Sequence, residues 1–301
     1  MKTILLFAFT ICFTTVFSQY RTDFGILAGG ANYLGEIGGN EQIRRDFVLD
    51  MKLEQTRKSF GAFFRHRFNN TYGVTGTLTY AEIGGNDNLT SNIGRKSRNL
   101  SFKNTIIELA GRGEYYFYNV YDVGGHSRYI MDFRPYFFGG LGMFYHNPKA
   151  DLDGDSYALR PLKTEGQEKS YSKINVSIPI GMGFYFTYNK RYRLSCELGW
   201  RKTFTDYLDD VSTTYASEEV LESDIAITLA NRNNELIDNS SVANSNNYTP
   251  GNKRGDSKHA DSYLIASVGM SYVLRGDFIH SPTTRGGYYQ PIRRRNVRSK
   301  F

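Results

Sequence analysis

The stretch Lys173–Asn189, KINVSIPIGMGFYFTYN, decides the fold. Ile174, Val176, Ile178, Ile180, Met182, Phe184, Phe186 and Tyr188 take every second position. Lys173, Asn175, Ser177, Pro179, Gly181, Gly183, Tyr185, Thr187 and Asn189 stand between them. Successive side chains of a strand point to opposite faces, so one face here is apolar and the other mostly small or polar. The alternation runs for 17 residues. Strands of soluble proteins average about 5–6 residues, and a strand that crosses a bilayer needs roughly 9–11. The apolar face is therefore read as facing lipid, and the other as lining a narrow barrel.

The same period recurs outward from this stretch. Before it lie Asp23–Asn32, Ser59–Phe68, Tyr72–Ala81, Lys103–Tyr118 and Phe133–His146; after it come Tyr192–Arg201 and Asp261–Leu274. Only Phe133–His146 blurs the pattern, since Phe137 with Phe138, and Phe144 with Tyr145, load both faces. The connections run long, short, long, medium, long, short and very long. That is the alternation of outer-membrane barrels, which have short periplasmic turns, long outer loops and an even strand count. The sequence predicts an all-β fold: an eight-stranded antiparallel transmembrane β-barrel over 19–274, in the cell outer membrane, with long extracellular loops and both ends in the periplasm.

Composition agrees. The 301 residues include 23 Tyr and 21 Phe, a load that suits the aromatic girdles of such barrels. Mean hydropathy is −0.47, and after the N-terminus no run of about 18 apolar residues exists, which excludes helical spans. Residues 1–18 combine Lys2, an apolar core from Ile4 to Phe17 and small Ser18, and read as a secretory signal peptide that also removes Cys12. Cys196 then has no partner for a disulfide and reads as a small lipid-facing hydrophobe.

The formal net charge of +7 is uneven. Residues 275–301 hold Arg275, Arg285, Arg293, Arg294, Arg295, Arg298 and Lys300 against Asp277, seven cations less one anion, or +6. An exported membrane protein meets no nucleic acid, so this periplasmic tail points to an acidic protein partner or to lipid headgroups. Tyr288 and Tyr289 beside Arg293, Arg294 and Arg295 suit an acidic groove.

Eight strands leave an interior just wide enough for side chains. Glu108, Arg112, Glu114, Arg193, Glu197 and Arg201 fall on the inward face, where opposite charges pair and plug the lumen. A charge-lined pore is the alternative. No constellation points to catalysis. Asp151, Asp153 and Asp155 alternate around Gly154, but a calcium loop wants its glycine sixth and an acid twelfth, so the stretch reads as a solvated loop. His146 and His259 have no spacing that builds a nucleophile and base. No enzyme, cofactor, metal or small-molecule substrate is expected. Gly35–Asn40, GEIGGN, and Ala81–Asn86, AEIGGN, echo each other and read as two exit turns of similar local geometry.

Several stretches together resemble one family. They are DFGILAGGANYLGE (Asp23–Glu36), RPYFFGGLGMFYHNPKA (Arg134–Ala150), PLKTEGQ (Pro161–Gln167), YSKINVSIPI (Tyr171–Ile180) and GWRKTFTDYLDDVSTTY (Gly199–Tyr215). They are similar to the PorG-like outer-membrane barrels of Bacteroidetes-type bacteria, assigned to the type IX protein secretion machinery. The resemblance covers most of the chain from 19 to 274; Leu221–Arg254 and the basic tail depart from it. It implies a non-enzymatic subunit that anchors or stabilises a periplasmic ring, built from a lipoprotein and a soluble partner, at the outer membrane. A stand-alone barrel acting in adhesion or envelope integrity is the second reading. Lys202, Thr203, Asp206, Tyr207, Asp209 and Asp210, where the resemblance is strongest, form either a structured loop or a partner-binding surface.

Overall fold

The computed structural model describes residues 21–37, 53–90, 92–121, 123, 131–236 and 248–274. The expected signal peptide, 1–18, and the expected periplasmic tail, 275–301, lie outside them. The strands are β1 (Thr22–Leu34), β2 (Arg57–Arg67), β3 (Tyr72–Asn86), β4 (Ser101–Tyr116), β5 (Met131–Leu152), β6 (Asp155–Ala158), β7 (Ile174–Tyr188), β8 (Tyr192–Thr203) and β9 (Ser262–Leu274). The sheet order is β4-β3-β2-β1-β9-β8-β7-β5, and β4 pairs with β5 to close it. Every pairing is antiparallel. The result is a closed eight-stranded antiparallel barrel, with β6 as a short return strand on β5.

Lipid offers no hydrogen bonds, so a spanning sheet must leave no open edge. Outside, Ile26, Leu109 and Leu141 are 68%, 65% and 66% exposed, while the intervening Glu108 and Phe138 are 1% and 4%. Such a continuous apolar girdle is the lipid-facing surface of a membrane barrel. Aromatic pairs ring one rim: Tyr72 with Tyr115 (5.6 Å), Phe117 with Phe137 (4.8 Å) and Tyr192 with Tyr272 (5.7 Å).

That rim is the terminal end, where β1 starts and β9 stops. Two of its turns, β2–β3 and β7–β8, are tight. Asn69 Oδ1 accepts the Thr71 and Tyr72 N–H groups at 2.8 and 2.7 Å. Asn189 and Lys190 take positive φ (49° and 56°) at the centre of a turn that the Arg191 N–H closes on Tyr188 O at 3.0 Å. The opposite, loop end carries the long connections.

The alternation locates the wall but understates its height. β3 continues through Asn86 and β5 through Leu152, past the expected Ala81 and His146. At this end of the wall Ala31–Leu34 and Ser262–Ile265 are buried on both faces, so polarity stops alternating while the ladder persists. AEIGGN is accordingly strand, not an exit turn. Gly35–Ile37 is a bend, and Ile37 O lies 2.5 Å from where a Cβ on Gly85 would stand. Gly35–Ile37, the described part of the first copy, thus packs on Gly85 of the second and differs from the strand geometry there. Asp151–Asp155 is a hairpin turning at Asp153 (φ 52°) and Gly154 (φ 93°), with Leu152 paired to Asp155. The blurred stretch resolves too: Phe137 and Tyr145 face out, Phe138 and Phe144 in. Phe138 fills space that glycines leave, its Cζ 2.6 and 2.8 Å from a Cβ built on Gly181 and Gly199.

Leu109 pairs with Leu78 and Met143 in mid-girdle. Leu109→Arg places a charge in lipid at about 2–4 kcal/mol. It is expected to reduce the heat-modifiable band on gels sharply, while Val220→Arg in an exposed segment at the loop end leaves that band unchanged.

Candidate functional site

Two regions concentrate the polar chemistry. The first fills the lumen on the terminal side, and its hub is Arg65 on β2, fully buried. Its Nε lies 3.0 Å from Glu114 Oε2, its Nη2 3.3 Å from Glu197 Oε1 and its Nη1 3.6 Å from Asp23 Oδ2. The guanidinium also sits 5.0 Å from the Tyr185 ring and 4.9 Å from that of Phe63. Arg112 donates to Glu197 at 2.6 Å, and Arg193 pairs with Asp23. Nearer the loops, Arg201 lies 3.5 Å from Glu108, which also accepts the Ser177 and Tyr263 hydroxyls at 2.7 and 2.8 Å. Four arginines thus meet four carboxylates. A cavity beside Arg112, Glu197 and Arg201 measures about 10 Å³, room for no more than one water.

All six charges the sequence placed inside are buried there and paired. What the alternation missed is that Asp23 and Arg65 join them. Asp23 opens a glycine-rich strand and Arg65 sits among phenylalanines, so neither stood out beside an opposite charge.

The second region caps the loop end. Tyr33, Ile37, Ile83, Phe102, Phe144, Leu159, Leu208, Val211, Leu229 and Tyr263 share one apolar core. Leu229 arrives on the helix Asp224–Ala230, whose cap Ser223 accepts the Ala226 N–H at 3.2 Å. Two arginines, half-buried Arg98 and buried Arg254, lace the loops over this core. Arg98 grips Asp87 with Nε at 2.8 Å and Nη2 at 3.1 Å, and donates to Glu36 O and Arg254 O. Arg254 donates to Glu165 at 3.1 Å and to Asp210 O at 2.6 Å. Glu165 in turn accepts the Ser212 and Thr213 N–H groups, and Asp210 accepts the Thr164 and Tyr171 hydroxyls. PLKTEGQ and GWRKTFTDYLDDVSTTY therefore bind each other.

This placement decides which loop residues a partner can meet. Thr203, Asp209 and Asp210 are buried, at 0%, 1% and 0% exposure. As candidate partner contacts they are corrected: hydrogen bonding within the cap holds them inside. Thr203 donates to Asp261 O at 2.6 Å, and Asp209 accepts the Val211 N–H at 2.9 Å. Lys202, Asp206 and Tyr207 are half-buried; Lys202 Nζ reaches Ala260 O at 3.1 Å and Tyr207 stacks on Tyr171 at 4.6 Å. His146 is buried beside Asn175, whereas His259 is exposed beside Asp256, in different surroundings. Among the described residues no acidic or histidine group has metal-holding geometry. Tyr288, Tyr289, Arg293, Arg294 and Arg295 lie outside the described residues.

Carboxyls crowd beneath the cap. Burial, then the Asp209 charge, raises Glu36 to about 8. Burial lifts Asp209 and Asp210 each to about 6. Asp261, bonded to the Tyr33 hydroxyl at 2.6 Å, is pushed well up by burial and by Asp209.

Removing Arg65 takes the shared cation from three buried carboxylates at once, leaving only Arg112 and Arg193 among them, whereas removing Arg201 takes a more distant partner, at 3.5 Å, from Glu108, which keeps two hydroxyl donors. Arg65→Ala is expected to lose about 3–5 kcal/mol, and Arg201→Ala clearly less, read from the urea midpoint of the heat-modifiable band. The cap carboxyls give a pH dependence. A carboxyl whose pKa folding raises holds extra protons in the folded state. Its contribution is intact below the unfolded value near 4 and is lost as pH rises through about 6 for Asp209 and Asp210, then about 8 for Glu36. Intrinsic-rate-corrected hydrogen exchange over residues 205–215 is therefore expected to be slower at about pH 5.5 than at about pH 8.5. Glu36→Gln with Asp209→Asn flattens the difference.

No curated protein sequence matches the chain. Among solved structures it is similar to OprG from Pseudomonas aeruginosa, at 10% identity and TM-score 0.37, covering 87% of this chain and 100% of that one. It is also similar to Neisserial surface protein A, at 10% and 0.35, covering 84% and 97%. A third is Ail, the attachment invasion locus protein of Yersinia pestis, at 10% and 0.34, covering 84% and 99%. The model of the family described as a domain of unknown function, DUF6089, matches residues 2–224 of this chain, and the chain belongs to that family.

Proposed function

We propose that this barrel is an outer-membrane subunit of the type IX protein secretion machinery, anchoring or stabilising its periplasmic ring at the outer membrane. The ring's lipoprotein and its soluble partner are then the protein partners, and outer-membrane lipids surround the wall. The observation that carries the reading is the cap. The stretch where the PorG-like resemblance is strongest, Gly199–Tyr215, meets another of its stretches, Pro161–Gln167, in one network, Thr164 on Asp210 and Glu165 on the Ser212 and Thr213 N–H groups. Barrel periodicity demands no such polar pairing above the wall. A lumen plugged by buried, paired charges and by Phe138 also suits an anchor better than a conduit. The reading sets the terminal end in the periplasm, where the +6 tail emerges, and assigns no catalysis.

A stand-alone barrel acting in adhesion or envelope integrity draws on a different observation. The cap also holds an outward cleft of about 420 Å³ between Tyr215, Tyr248, Arg95 and Lys253.

The deciding experiment is deletion, followed by mild-detergent co-purification of the tagged protein. The secretion reading expects loss of type IX cargo from the medium and recovery of the ring lipoprotein with the tag. Truncation after Arg275 is expected to leave the barrel heat-modifiable while weakening that recovery, and Ala at Arg293, Arg294 and Arg295 to give most of the effect. Normal secretion in the deletion strain, with an altered envelope, supports the stand-alone reading.

A further inference from the structure

The terminal mouth of the lumen is built unlike the balanced interior above it. Arg67 ends β2, Arg134 lies near the start of β5, Thr187 near the end of β7 and Arg193 near the start of β8; Lys190 sits in the β7–β8 turn. Together with Asp132 they line one cavity of about 160 Å³, the volume of a few waters at about 30 Å³ each. Arg67, Arg134, Thr187 and Arg193 are 7%, 5%, 7% and 2% exposed. Four cations thus face a single lining carboxylate, and Arg193 also reaches Asp23 deeper in. Arg134 is held by neutral groups: Asn119 Oδ1 at 2.5 Å, the Tyr121 hydroxyl at 3.3 Å and the Tyr121 ring at 5.2 Å. Orienting a buried guanidinium with neutral partners leaves its charge available for an anion.

We propose that this mouth is an oxyanion pocket that receives a carboxylate side chain from an acidic periplasmic protein, with Arg134 and Lys190 as its contacts. The proposal rests on the periplasmic orientation in the reading above. Charge complementarity selects the occupant. Its net charge of +6 makes the chain's own tail the poorer match. Lipid headgroups are the poorer fit because the lining faces the barrel axis, while the neighbouring outward positions are aromatic: Phe133, Tyr188 and Tyr192.

The test uses the full mature chain in micelles and a fluorescein-labelled hexaglutamate peptide. Arg134→Gln and Lys190→Gln are each expected to weaken binding about five-fold with heat-modifiability intact, and millimolar inorganic phosphate to displace the peptide. Should Arg134→Gln fail to assemble, Lys190→Gln in the exposed turn decides alone. Unchanged affinity in the pocket variants overturns the proposal, as does complete loss of binding from Ala at Arg293, Arg294 and Arg295 alone. In nanodiscs, peptide binding in phosphatidylcholine that vanishes in phosphatidylglycerol assigns the pocket to a headgroup and overturns the protein occupant. Lys190→Gln that weakens peptide binding while ring recovery stays normal leaves the pocket standing and removes the ring as its partner.

Discussion

Eight strands close around too little space for a column of water, so every polar group in the lumen must find a partner among the others. Arg65 is the group on which this depends. Three carboxylates from three other strands converge on it, and three aromatic rings flank it. A buried ion cluster contributes little net stability compared with an apolar core of the same shape, but breaking it is expensive because the remaining charges stay uncompensated. Its value here is register: Asp23, Arg65, Glu114 and Glu197 meet only if four strands are paired as observed, and a slip of one residue would turn each of them toward lipid.

The lumen changes character along its axis. On the terminal side it is ionic, with Tyr116, Tyr136 and Tyr185 packed together at 5.5–5.9 Å. On the loop side it becomes an apolar core continuous with the cap. Above the membrane that core is covered by folded loops, and it draws them together as the interior of a soluble domain would. The wall is thus a membrane protein below and a scaffold for a small globular head above. Arg98 and Arg254 satisfy carbonyls that such loops would otherwise bury without donors.

Sequence pattern alone established the barrel, its strand count, the inward set Glu108, Arg112, Glu114, Arg193, Glu197 and Arg201, and the tight turns at Asn69 and Asn189. All of these follow from a period of two, which each strand expresses locally because lipid lies on one side and a narrow lumen on the other. Tertiary structure alone decided which charge meets which. Arg65 and Glu197 are 132 residues apart, Glu165 and Arg254 89, and Thr164 and Asp210 46. It also decided that Asp209 and Asp210 are interior, that Phe138 lies inward over Gly181 and Gly199, and that the wall rises past Ala81. There both faces are buried, so the sequence carries no alternation to read, and pairing across the closed sheet sets the structure.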